Sequence, residues 1–212
     1  RQESDEADEY VDLGFLGDVS RDEFLGTALW QMTKGMQDPF KAVLKMAMME
    51  RYLSSSFQGP LLCETLKARV QGGAASLVEV DPYLLMVETV LDFYAERGPT
   101  EQAELLRKSF YIKTDAGITR TRMNRRGDPK AAVFEDLMRK WNWSLDLVED
   151  LNQVENWSYA RQMNLSAEIS NYFFSTYRRL SEALQIRERQ AIDDQDLTFL
   201  GRRIYSLFAR EN

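Results

Sequence analysis

No histidine occurs anywhere in the 212 residues. That absence removes Ser-His-Asp and Cys-His nucleophilic catalysis, which need an imidazole to take the proton, and it removes histidine metal sites. Cysteine is nearly as scarce. Cys63 stands alone, so no intramolecular disulfide can form, and a reducing, cytosolic compartment fits best. No stretch approaches the roughly 18 uninterrupted apolar residues of a membrane span, and no signal-peptide pattern opens the chain. A glycine-rich phosphate loop of the P-loop type is also missing. Basic charge is not in excess: 27 Lys and Arg stand against 34 Asp and Glu, a net charge of -7. General nucleic-acid binding needs a basic face to neutralise phosphates and is therefore disfavoured, although a local basic pocket is not.

What is present reads as an ordinary folded protein, with 44% hydrophobic and 29% charged residues and enough length to bury a sizeable core. The five prolines all read as helix-start signals. Asp38-Pro39, Asp81-Pro82 and Asp128-Pro129 each place a capping carboxylate before a proline at the first helical position, where proline's missing N–H costs nothing. Gly59-Pro60 and Gly98-Pro99 end one segment and open the next.

Between these signals the apolar residues recur at helical spacing. After the capping box Ser20-x-x-Glu23 come Phe24, Leu25, Ala28, Leu29 and Met32. Phe40, Val43, Leu44, Ala47 and Met48 follow Pro39, and Leu84, Leu85, Val87, Val90, Leu91 and Tyr94 follow Pro82. Thr100 opens a helix through Leu105, Leu106 and Tyr111, and Pro129 opens one through Val133, Phe134, Leu137 and Trp141. The longest helix is expected from Trp157 to about Arg189, and a last one from about Gln195 to Ala209. Ala75 to Val80 is the only candidate strand, and a weak one. The fold class is all-α, a bundle of roughly seven to nine helices. Residues 1–9 are expected to be an acidic, mobile lead-in, and residues 10–212 a single helical domain. The chain opens on Arg1 rather than Met, which points to a piece of something longer.

Two acidic pairs mimic two-metal phosphoryl chemistry. Asp194-Gln195-Asp196 has the spacing used on strands, but it sits at a helix start, where acids favour the dipole. Gly72-Gly73 followed by Glu79-Val80-Asp81 is like a nucleotidyltransferase glycine turn, yet Asp81 precedes Pro82 and already serves as a cap. No catalytic and no metal-binding residue is therefore assigned. Cys63 reads as a buried core thiol. Trp30, Trp141, Trp143 and Trp157 read as core or seam residues.

Cations are more suggestive. Lys41 and Lys45 stand four apart on one helix face, and Lys34 ends the preceding helix. Three lysines around a tight junction suit a polyphosphate, although a solvated face has the same spacing. Arg120, Arg122, Arg125, Arg126 and Lys130 form a second basic cluster, read as a solvated interhelical loop with an anion contact as the alternative.

From Gly26-Thr27-Ala28-Leu29-Trp30-Gln31-Met32, through Lys34 and Asp38-Pro39-Phe40-Lys41-Ala42-Val43-Leu44-Lys45, the chain resembles bacterial class I adenylate cyclase. The resemblance continues through Asp81-Pro82-Tyr83, Phe110-Tyr111-Ile112-Lys113, Trp141-x-Trp143, Asn156-Trp157 and Arg203-Ile204-Tyr205, from about residue 10 to residue 210. It implies a parent enzyme that converts ATP to cyclic AMP and pyrophosphate with a divalent metal such as Mg. It also implies a nucleotidyltransferase-type catalytic domain upstream, carrying a Gly-Ser turn and an Asp-x-Asp metal pair, and a regulatory domain downstream. By that resemblance this chain is the helical domain packed beside the catalytic domain, inactive alone, with Lys41, then Lys45 and Lys34, contacting the triphosphate. The pattern departs from the family around residues 115–132, so the arginine-rich loop takes no family role. The alternative is a regulatory or protein-interaction module without nucleotide contact.

Overall fold

The computed structural model describes residues 21–35, 37–54, 59–73, 80–98, 100–125 and 127–183. Among the described residues there are nine α-helices, one 3₁₀ turn and no strand, so the fold is all-α as the apolar spacing predicts. The helices are α1 (Arg21–Lys34), α2 (Pro39–Leu53), α3 (Leu62–Gln71), α4 (Pro82–Ala95), α5 (Thr100–Lys113), α6 (Arg120–Met123), α7 (Pro129–Trp141), α8 (Leu145–Leu151) and α9 (Tyr159–Ala183). The acidic lead-in, Ser20 of the capping box, residues 75–79 of the candidate strand and the helix expected at 195–209 lie outside the described residues.

The three Asp-Pro pairs act as read. Asp38, Asp81 and Asp128 each accept the backbone N–H three residues on, from Lys41, Leu84 and Ala131, with proline opening the helix. Pro60 does not open its helix. Leu61 is the cap of α3, Glu64 reaches back to accept the Leu61 N–H at 2.8 Å, and the Tyr52 hydroxyl accepts the Leu62 N–H at 2.9 Å. A turn two residues beyond the proline, tied to the end of α2, sets that start. Gly72 is the C-cap of α3 and Gly73 takes φ +76°, so the glycine pair is a helix stop and not a nucleotide-binding turn.

α2 is the centre of the bundle. It packs on α1, α4, α5 and α9, and Ala42, Val43, Leu44, Met46, Ala47, Met48 and Met49 are all buried, more than a single amphipathic stripe. Met32 from α1, Val87 and Val90 from α4, Leu105 and Leu106 from α5, and Ile169 and Phe173 from α9 close over it. A second, aromatic layer joins α5 to α7: Phe110 stacks on Phe134 at 5.9 Å, and Trp141 and Trp143 meet edge-on at 5.0 Å. Trp143 is buried and donates its indole N–H to Glu104, and Trp157 is half-buried under Arg161. Trp30 lies 48% exposed on the outer side of α1, outside the core, which leaves the seam reading for it. Cys63 is half-buried, while its neighbour Leu62 is the residue of α3 that enters the core.

The arginine-rich stretch is built into the fold and not simply solvated. It holds the single-turn helix α6, capped by Thr119. The Arg120 backbone N–H donates to Glu149 and its guanidinium to Asp146, Arg122 donates to Asp128 and the Ala116 carbonyl, and Lys130 caps the carbonyls of Thr114 and Asp115 at the end of α5. Arg126 lies outside the described residues, and Arg125 is exposed. The Arg122 hydrogen bond holds the Asp128 carboxyl below the usual carboxylate range, with the Ala131 N–H adding to it. Because the folded value lies below the unfolded one, this pairing stabilises the fold above the ordinary carboxyl range and is lost as pH falls through the lowered folded value. Arg122→Met is expected to raise the Asp128 midpoint in a carboxyl NMR titration. An unmoved midpoint would assign the shift to helix capping alone.

Candidate functional site

The lysine-bearing junction is made by the turn between α1 and α2. The Lys34 carbonyl accepts the N–H of both Gln37 and Asp38, at 2.9 and 3.1 Å, so the chain reverses within three residues. Gly35 makes that reversal fit. A Cβ there would stand 2.9 Å from Phe173 Cε2 and 3.0 Å from both the Ala42 Cβ and the Met32 carbonyl oxygen. Lys34 therefore ends α1 directly at the turn, with its ammonium 4.1 Å from the centroid of the exposed Trp30 ring one helical turn back.

Lys41 is in the first turn of α2, half-buried, where the unsatisfied N–H groups already present partial positive charge. A lysine in that place is electrostatically uphill by roughly 0.3–1 kcal/mol, and no acidic side chain occurs in that turn to offset it. The compensating carboxylate is the cap itself. Asp38 Oδ1 accepts the Lys41 N–H at 3.1 Å, while Oδ2 takes the ammonium of Lys113 from the last turn of α5. The structure thus brings Lys34 and Lys41 to the two sides of one turn. Lys45, half-buried, lies one helical turn farther along α2.

Lys113 is the member that sequence spacing missed. It stands 75 residues from Asp38, and locally it looks only like a cation placed to suit the carboxyl end of its own helix. With Lys41 and Lys113 against Asp38 the amino end of α2 carries an excess of one positive charge, and Lys34 stands across the turn. Its chemical capacity is anion recognition by point charges beside a helix amino terminus.

A second polar cluster sits at the opposite end of α2. Glu50 accepts two hydrogen bonds from Arg179 of α9, at 2.6 and 2.9 Å, and one from the Tyr94 hydroxyl of α4 at 2.6 Å. The Tyr94 and Tyr172 hydroxyls are 3.1 Å apart. Burial, then the neighbouring Tyr172 and Glu50 charges, push the Tyr94 phenol far above its ordinary value, and burial does the same to Tyr172. Both are proton donors and not phenolates. Burial draws Arg179 down most strongly, but hydrogen bonding to Glu50 and the Glu50, Tyr94 and Tyr172 charges together outweigh it and raise the guanidinium above its ordinary value. A cavity of about 310 Å³ opens beside this cluster, between Arg97, Ser54, Phe93 and Leu180.

No group of three Asp, Glu or Cys side chains among the described residues could hold a metal ion. Asp81 is engaged as the cap of α4, and Glu79, Asp194 and Asp196 lie outside the described residues. No described helix is long and apolar enough to cross a membrane.

Residues 19–212 match the family model described as adenylate cyclase, class-I, second domain. An adenylate cyclase of Pasteurella multocida strain Pm70 is 28% identical over 203 residues, covering 95% of this chain and 24% of the relative. Those of Proteus mirabilis and Escherichia coli K12 are 28% and 29% identical over 202 residues, each covering 94% of this chain. The chain thus spans about a quarter of the length of the curated relatives it matches, 23% to 24%. No solved structure matches.

Proposed function

We propose a function from one premise: this chain belongs to the class-I adenylate cyclase second-domain family. It is a helical domain of an enzyme that converts ATP to cyclic AMP and pyrophosphate in the cytoplasm. It packs beside an upstream catalytic domain and presents Lys41, with Lys34 and Lys45, to the triphosphate; a regulatory domain follows it. The observation that carries this reading is Lys41 in the first turn of α2, adding a cation to an already positive helix end.

Cyclisation breaks the bond between the α- and β-phosphates, so negative charge builds on the departing pyrophosphate. Ammonium groups fixed near the β- and γ-phosphates would stabilise that charge more in the transition state than in bound ATP, which lowers the barrier. The divalent metal implied by the family does not fit the described residues, which offer no converging acid set. Its ligands are assigned to the upstream domain, and no step here runs through it. The exposed Trp30 beside Lys34 supports packing against that domain, since a large aromatic surface of this kind gains by being covered.

In the full-length enzyme, Lys41→Ala is expected to lower kcat/KM for ATP by roughly tenfold or more. Unchanged kinetics would remove the triphosphate assignment and leave the alternative, an interaction module without nucleotide contact. The chain alone is expected to make no cyclic AMP.

A further inference from the structure

We infer that Lys113 is a positioning residue for Lys41, acting through Asp38 to keep the junction electropositive toward an anionic phosphate. This rests on the reading of Lys41 given above. The two oxygens of Asp38 have separate tasks: Oδ1 caps the first turn of α2 through the Lys41 N–H, and Oδ2 is occupied by the Lys113 ammonium. Lys41 stands three residues after Asp38, within reach of the same carboxylate by helical spacing. Without Lys113, Asp38 would carry an uncompensated charge at the mouth of the junction, and its carboxylate would become the counter-ion of Lys41. The net charge of the Lys41, Asp38 and Lys113 group would fall from plus one to zero, and the remaining carboxylate would repel phosphate.

Both partners are about one-third exposed, Lys113 at 30% and Asp38 at 34%, so the pair adds little to folding and its effect is electrostatic. The pair also joins the carboxyl end of α5 to the amino end of α2, fixing the direction in which Oδ1 faces its N–H. No local pattern in either helix encodes this arrangement, which is a property of the packed bundle.

The test is steady-state kinetics of the full-length enzyme with ATP. Lys113→Met is expected to raise KM by roughly three- to fivefold, the scale of one screened surface charge, with kcat changed less than about twofold. Lys113→Arg is expected to restore KM. So is Asp38→Asn added to Lys113→Met, because asparagine keeps the capping oxygen and removes the charge. If KM is unmoved while Lys41→Ala impairs the enzyme, the positioning role is overturned and the triphosphate assignment stands. A rise in KM that Asp38→Asn does not reverse, or loss of the cooperative thermal transition in both Lys113 variants, would make the pair structural and also overturn it. If Lys41→Ala is silent, both readings fail together.

Discussion

Glu50→Ala is expected to lower the unfolding free energy by about 3 kcal/mol, the scale of removing one partner from a buried ion pair. On a chain of this length that corresponds to a fall in Tm of about 6–12 °C. The size comes from what is left behind. Glu50 is only 14% exposed and accepts from Arg179 at two positions and from Tyr94 at a third. Truncation strands a guanidinium that burial already disfavours, together with a phenol whose partner Tyr172 is itself buried. Arg179 is 35% exposed, so water relieves part of the penalty, and the expected cost sits at the lower end of the range for such pairs. Arg179→Met leaves the more buried carboxylate with only Tyr94 and should cost a comparable amount. Thermal unfolding followed by circular dichroism reads both. A loss below about 1 kcal/mol for Glu50→Ala would mean that solvent from the adjoining cavity satisfies the stranded groups.

Much of the fold is legible in short-range chemistry. An Asp-Pro pair needs only neighbouring residues to specify a helix start, and all three such pairs do so. The start of α8 was legible by the same logic in Ser144, which accepts the Leu147 N–H. What the sequence hides is pairing at a distance. Glu50 and Arg179 lie 129 residues apart, and Lys113 and Asp38 lie 75 apart. Each of these side chains, taken alone, looks like a charge on a solvated helix face. For Trp30 the sequence leaves core and seam open: it borders an apolar stripe, but the core is filled by Ala28 and Met32, which leaves the larger ring outside. In the arginine-rich stretch the decisive partners were near at hand, since Arg122 pairs with Asp128 only six residues away. The Asp-Pro pair marks that carboxylate as a cap, and its second oxygen takes the cation.

Gly35→Ala is expected to destabilise the protein by about 2 kcal/mol, within the range for overpacking a filled site. The added methyl meets three groups at once, and they yield differently. Phe173 Cε2 at 2.9 Å is the far edge of a ring, but that ring is fully buried and held by the core around α2 and α9. The Ala42 Cβ and the Met32 carbonyl, both at 3.0 Å, belong to helices that cannot move without shifting the turn. Relief therefore has to come through Phe173 or through separation of α1 from α2. Phe173→Leu alone should be destabilising, because it removes ring contacts from a filled core. Combined with Gly35→Ala it should cost clearly less than the sum of the two single changes, the non-additivity expected of residues that share one space. A strictly additive double variant would mean that the turn, and not the ring, absorbs the methyl. In that case the turn that holds Lys34 and Lys41 on its two sides is displaced, and the full-length Gly35→Ala enzyme should lose ATP affinity in parallel with Lys34→Ala. If the ring absorbs the methyl, stability falls while KM for ATP stays near that of the parent, and the geometry of the junction is preserved at the expense of the core.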